Sequence, residues 1–142
     1  MRYLSQEIRP LLERNEILGL VLVDGEGMVL DAEGGLYPPE HLAALFSPLY
    51  RMLDDIQHNI NVEGIEEISI RTLNPRMRII VQGFSVQQSP YLIIALYPIT
   101  TFYRQVTSDI IRIVKDCIRR LTPHPADGGD PSASGSTGPG EP

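Results

Sequence analysis

The sequence is poor in several features on which whole classes of function depend. It holds one cysteine, Cys117, so no internal disulfide can form, and this residue falls within a helical apolar pattern as a small buried side chain would. No helix N-terminus or cation cluster stands beside it to stabilise a thiolate, which predicts an inert thiol. No apolar run approaches the roughly 20 residues that a bilayer-spanning helix needs. The opening MRYLSQEIRP also lacks the apolar stretch of a secretory signal. These absences predict a cytoplasmic chain with no membrane partner.

A block of basic residues is missing as well. The formal net charge is -6 and the arginines are scattered. The nearest approach to a cluster, Arg119 and Arg120, closes a helix, where positive charge suits the macrodipole. Nothing here is built to neutralise phosphates, so no nucleic-acid partner is expected. Catalytic signatures are absent too: there is no GxSxG elbow, no GxxxxGK[ST] loop and no HExxH. His41, His58 and His124 fall at the start of a helix, at its end and in the C-terminal segment, a spacing that suits neither a metal nor a general base. Asp54 and Asp55 are neighbours on the polar side of a helix, as on a solvated face. No catalytic centre, metal or cofactor is expected.

What is present is ordinary for a soluble globular protein, with 42% hydrophobic and 21% charged residues in a chain of 142. That length fits one domain, read here as residues 1–121. Residues 122–142, TPHPADGGDPSASGSTGPGEP, have almost no apolar side chain larger than alanine and cannot bury enough surface to offset the entropy of ordering. They are expected to form a disordered tail, as a solubilising extension or as a carrier of a short recognition motif.

Periodicity organises the rest. Leu4, Ile8, Leu11 and Leu12 recur at helical spacing, with Pro10 predicting a kinked or frayed helix or one that begins near Arg9. Residues 17–24 are nearly all aliphatic, as in a strand covered on both faces, and residues 28–32 follow as a second strand. Between them lies the acidic loop DGEG. A calcium loop would need further oxygen ligands where Met28, Val29 and Leu30 stand, and a phosphate loop would need a helix to follow. The loop is therefore read as a hairpin turn.

A helix is expected over residues 37–60, with prolines at its start and Leu42, Leu45, Phe46, Leu49, Met52, Leu53 and Ile56 at helical spacing. At ~100° per residue these span roughly 140°, wider than the ~100° stripe that covers a sheet. The surplus flank, Leu45 and Met52 with Ile56 beside them, is expected to meet a helix of another chain or to be covered by loops. Pro48 predicts a kink.

Strands follow at residues 65–72, 77–84 and 91–98, the last apolar on both faces and therefore central, with SVQQSP read as a polar loop before it. In the first of them Ile68 and Ile70 alternate with Glu67, Ser69 and Arg71, which marks a partly exposed strand. A last helix is read over residues 101–121. Thr100 is expected to cap it, and Phe102, Val106, Ile110, Ile113, Val114, Cys117, Ile118 and Leu121 to form its inner face. The order α-β-β-α-β-β-β-α predicts an α+β sandwich: a five-stranded antiparallel sheet with helices on both faces. The two central strands should be neighbours, with residues 28–32 at one edge and residues 65–72 at the other.

That order, the hairpin GLVLVDGEGMVLDAEGG and a following helix that opens HLAALFSPL resemble the Roadblock domain family, which includes dynein light chains of the Roadblock type and bacterial MglB-like proteins. The resemblance covers residues 1–121. It implies a non-catalytic dimer, of two copies or of the chain with a paralogue, in which the second helices pack antiparallel and the third strands pair edge to edge. The implied interface is Leu42, Leu45, Leu49, Met52 and Ile56 on the helix, with Ile65, Glu67, Ser69 and Arg71 on the strand. It also implies a small Ras-like GTPase as partner, met around Ala43, Ala44, Ser47 and Tyr50. MglB-like helices continue with small residues after this opening, whereas this one has Phe46, Pro48, Leu49, Tyr50, Arg51 and Met52. That departure favours scaffolding or binding of the GTPase over its activation. The competing expectation is a PAS-like or profilin-like sensor holding a small molecule between sheet and helix; the aliphatic inward residues offer it no convergent polar groups.

Overall fold

The structure is a computed structural model and describes residues 3–121. The expected tail, residues 122–142, lies outside the described residues. In chain order the elements are α1 (Tyr3–Glu13), β1 (Gly19–Asp24), β2 (Val29–Gly34), α2 (Pro39–Ile60), β3 (Glu67–Leu73), β4 (Arg76–Val86), β5 (Ser89–Pro98) and α3 (Tyr103–Leu121). The sheet order is β2-β1-β5-β4-β3 and every neighbouring pair is antiparallel. The aliphatic strands β1 and β5 are adjacent at the centre, and the alternating β3 forms an edge, as their burial patterns demand. No helix among the described residues is long and apolar enough to cross a membrane.

Both faces of the sheet are covered. On one, Leu22, Ile80, Ile93 and Tyr97 pack against Ile8 of α1 and against Ile110 and Val114 of α3. On the other, Val21, Val81 and Ile94 pack against Leu42 and Ala43 of α2, which among the described helices covers that face alone. Each fully buried aliphatic side chain contributes about 1.5–3 kcal/mol. Cys117 is buried in the first of these cores, and burial raises its pKa against the opposing effect of Arg120.

The DGEG segment is a turn, and the carboxylate of Asp24 builds it. One oxygen, Asp24 Oδ1, accepts hydrogen bonds from the backbone N–H groups of Glu26 at 2.9 Å and Met28 at 3.0 Å. Gly27 takes φ of 91°, which a side chain would resist.

Several boundaries differ from the sequence reading. Helix α1 runs through Pro10, whose own carbonyl still accepts from the Arg14 N–H at 3.0 Å. Pro10 and Gln6 are both exposed, so water can serve the carbonyl that the proline leaves unpaired. Strands β4 and β5 extend until Val86 pairs with Ser89, which reduces the expected loop to two residues, Gln87 and Gln88, with φ of 52° and 70°. Positive φ at both positions is the type I′ pattern of a two-residue hairpin, and glutamines there give none of the usual Asn-Gly signal. Helix α3 starts at Tyr103, so Thr100 does not cap it. Phe102 precedes the helix and is 88% exposed, not part of its inner face; Leu121 is also exposed.

Candidate interaction surfaces

Helix α2 is entered through Pro38 and Pro39, with the Pro38 carbonyl accepting from the His41 and Leu42 N–H groups at 3.1 and 3.2 Å. It continues through Pro48 and ends at Asn61 in the left-handed conformation. Apart from Ile60 at its last position, four of its large apolar residues point away from the sheet: Leu45 is 65% exposed, Leu49 37%, Met52 56% and Ile56 40%. Their spacing of four, three and four residues is that of a heptad seam. At ~1.5 Å per residue the seam is roughly 16 Å long.

The other predicted helix positions divide. Leu42, Ala43 and Ser47 are buried against the sheet, so they belong to the interior and not to a contact surface. They sit about 60–200° around the helix from Leu45, which turns them inward. Ala44 is exposed and shares a polar flank with Pro48, Arg51 and Asp55. Tyr50 is half-buried with its phenol lying on Gly83 of β4, where a Cβ would collide with the ring. Burial raises the Tyr50 pKa; a hydrogen bond with the Gly83 backbone lowers it, and Asp54 and Glu66 add to the rise.

Among the described residues β3 pairs only with β4, and none of them covers its other edge. Ile68 and Ile70 are half-buried on the α2 side, while Ser69 and Arg71 are exposed on the α3 side and Glu67 beside them is half-buried. Ile65 precedes the strand and lines a cavity under α2, so it is not an edge residue. The edge is self-complementary: with Ser69 opposite its own copy in an antiparallel pair, Glu67 faces Arg71 and Ile68 faces Ile70.

The cavity of about 290 Å³ lies between α2, the β1–β2 turn and the start of β5. Asp24, Ser47, Arg51, Asp54 and Gln57 line it, so polar groups do converge there, contrary to the sequence expectation. The buried Ser47 Oγ has no hydrogen-bond partner among the described residues. No group of three or more His, Cys, Asp or Glu side chains among them could hold a metal ion.

An α-β-β-α-β-β-β-α chain whose five-stranded antiparallel sheet leaves β3 at the edge and α2 alone on one face has the fold of a Roadblock-type domain. It is similar to the Roadblock/LC7 domain from Streptomyces avermitilis, with a TM-score of 0.65 and 18% identity over 85% of this chain and 97% of that one. It is also similar to Myxococcus xanthus MglB, with a TM-score of 0.63 and 11% identity over 87% and 88% of the two chains. A third similar structure is an MglB with a tetrameric arrangement, with a TM-score of 0.60 and 16% identity over 85% and 91%. At these identities the likeness is one of fold. No family model matches the sequence, and no curated protein matches it.

Proposed function

We propose that this chain is a non-catalytic dimerisation module that binds a small Ras-like GTPase and regulates or scaffolds it, as its likeness to MglB suggests. The observation that carries the reading is the pairing of an exposed heptad seam on α2 with an open, self-complementary β3 edge. Each is a liability in a monomer, and one two-fold operation relieves both. The tetrameric arrangement of one similar MglB supports assembly of this fold. With Ala43 and Ser47 inside, the GTPase would approach the exposed flank of Ala44, Pro48, Arg51 and Asp55. Phe46 and Tyr50 turn towards the sheet, so less bulk obstructs that approach than the sequence suggested.

The test combines mass and retention. Light scattering of the full chain is expected to give a dimer, and the double variant Leu45→Glu/Met52→Glu a monomer with an unchanged fold. The immobilised dimer is then offered purified small Ras-like GTPases loaded with GDP or with a non-hydrolysable GTP analogue. Nucleotide-dependent retention supports the reading; a wild-type monomer at high concentration, or a dimer that retains none of them in either state, overturns it.

A sensor domain is the second reading, favoured by the cavity beneath α2 and the unpartnered Ser47 hydroxyl. A small molecule released on denaturation from a freshly purified monomer would select it.

A further inference from the structure

Cations dispersed along the sequence converge on one trough of the folded chain. Arg71 and Arg78 are cross-strand partners on the α3 side of β3 and β4, with Arg76 at the same end. Arg112, Lys115 and Arg119 of α3 line a cavity of about 350 Å³ over Gln82 of β4. Arg104, with Arg78, Phe102 and Tyr103, lines a second of about 440 Å³ at the start of the helix. The two lie end to end along a helix of 19 residues, roughly 28 Å. Three carboxylates belong to the region: Asp109 and Asp116 pair with Arg112 and Arg119 at 3.2 and 3.3 Å, and Glu67 lies half-buried beside Gln82. Among the described residues, Arg71, Arg76, Arg78, Arg104 and Lys115 have no ion pair.

Two features here work against the stability of the isolated chain. Arg71 stands directly opposite Arg78, where like charges repel. Arg104 occupies the first turn of α3, which has no acidic residue, so positive charge meets the positive end of the helix. Tyr103 holds both guanidinium groups near its ring, Arg78 at 4.5 Å and Arg104 at 5.5 Å from its centre. At the same end Phe102 is 88% and Leu73 91% exposed. An anion in the trough relieves the conflict at the start of α3 and, together with Glu67 of a second copy at the β3 edge, that between Arg71 and Arg78, while an apolar side chain beside it covers the rim.

We propose that the trough between α3 and strands β3 and β4 docks an acidic segment of a partner protein that also carries an apolar anchor for Phe102. A flat bilayer cannot follow a trough between a helix and a sheet. A nucleic-acid duplex presents phosphates but no apolar side chain to cover Phe102 and Leu73. The chain's own residues 122–142 offer Asp127, Asp130 and Glu141 but no large apolar side chain. Ordering a residue costs about 1–2 kcal/mol, more than the 0–1 kcal/mol an exposed ion pair returns. A partner segment already helical or extended avoids most of that cost.

The test uses the full chain and the fluorescence anisotropy of a labelled peptide of repeating Glu-Glu-Leu. The same peptide with Lys for Glu, labelled duplex DNA and phosphatidylglycerol vesicles serve as comparisons. The acidic peptide is expected to bind best, more weakly as salt is added, and the double variant Arg104→Glu/Lys115→Glu to bind at least about tenfold more weakly. Phe102→Ser, at an exposed site, should lose several-fold in affinity with its thermal midpoint and subunit mass unchanged. Equal binding of the two peptides, tighter binding of DNA or vesicles, or unaltered affinity in both variants overturns the proposal. These substitutions lie across the sheet from α2, so either result leaves the dimer and GTPase reading to its own test.

Discussion

Tyr97 has no exposed surface, and its hydroxyl lies 2.5 Å from Thr107 Oγ1, the one hydrogen bond that makes its burial under α3 tolerable. Burial pushes its pKa from 10.0 up to about 12, with the Thr107 bond opposing the rise and Glu67 adding to it. The folded state therefore holds the phenol proton more tightly than the unfolded chain does. That contribution is complete below the unfolded pKa and is lost as pH rises through the folded one. Urea midpoints are expected to fall between pH 10 and about 12, by about 2 kcal/mol of stability, and to fall less in Tyr97→Phe. The other residue with a decisive local role, Asp24, was legible in advance, because an aspartate bonding the amides that follow it is a property of five consecutive residues.

At the scale of elements, the proposed assembly rests on β3 and α2. The β3 pattern EISIRTL places Glu67 and Arg71 symmetrically about Ser69. Reversing either charge is expected to weaken the dimer, because a two-fold pair then sets like charges opposite each other twice. Restoring the dimer in Glu67→Arg/Arg71→Glu would identify this register; sedimentation equilibrium of the three variants measures it as a double-mutant cycle. The width of the apolar stripe on α2 was readable from its spacing, and Leu45, Met52 and Ile56 are indeed exposed. Leu42, which the resemblance placed in the interface with them, packs on the sheet instead. Periodicity fixes angles between residues of a helix; which angle faces inward depends on the sheet it meets.

At the scale of the whole fold, the described helices cover the sheet unequally: α1 and α3 share one face, whereas α2 has the other to itself. If a second copy completes that side, folding and association are linked, and the thermal midpoint of the full chain is expected to rise with protein concentration. Scanning calorimetry across a dilution series checks this, and the midpoint of Leu45→Glu/Met52→Glu should not move with concentration. By itself the sequence determined the order of elements, the central place of the two aliphatic strands and the edge position of β3. Those follow from local spacing and from which side chains tolerate water. Only the tertiary structure decided that Ser47 lies inside, that two glutamines close a hairpin, and that arginines scattered through the chain line one trough. Such facts belong to residues brought together by strand register and helix docking, and a linear pattern carries no record of the distance between them.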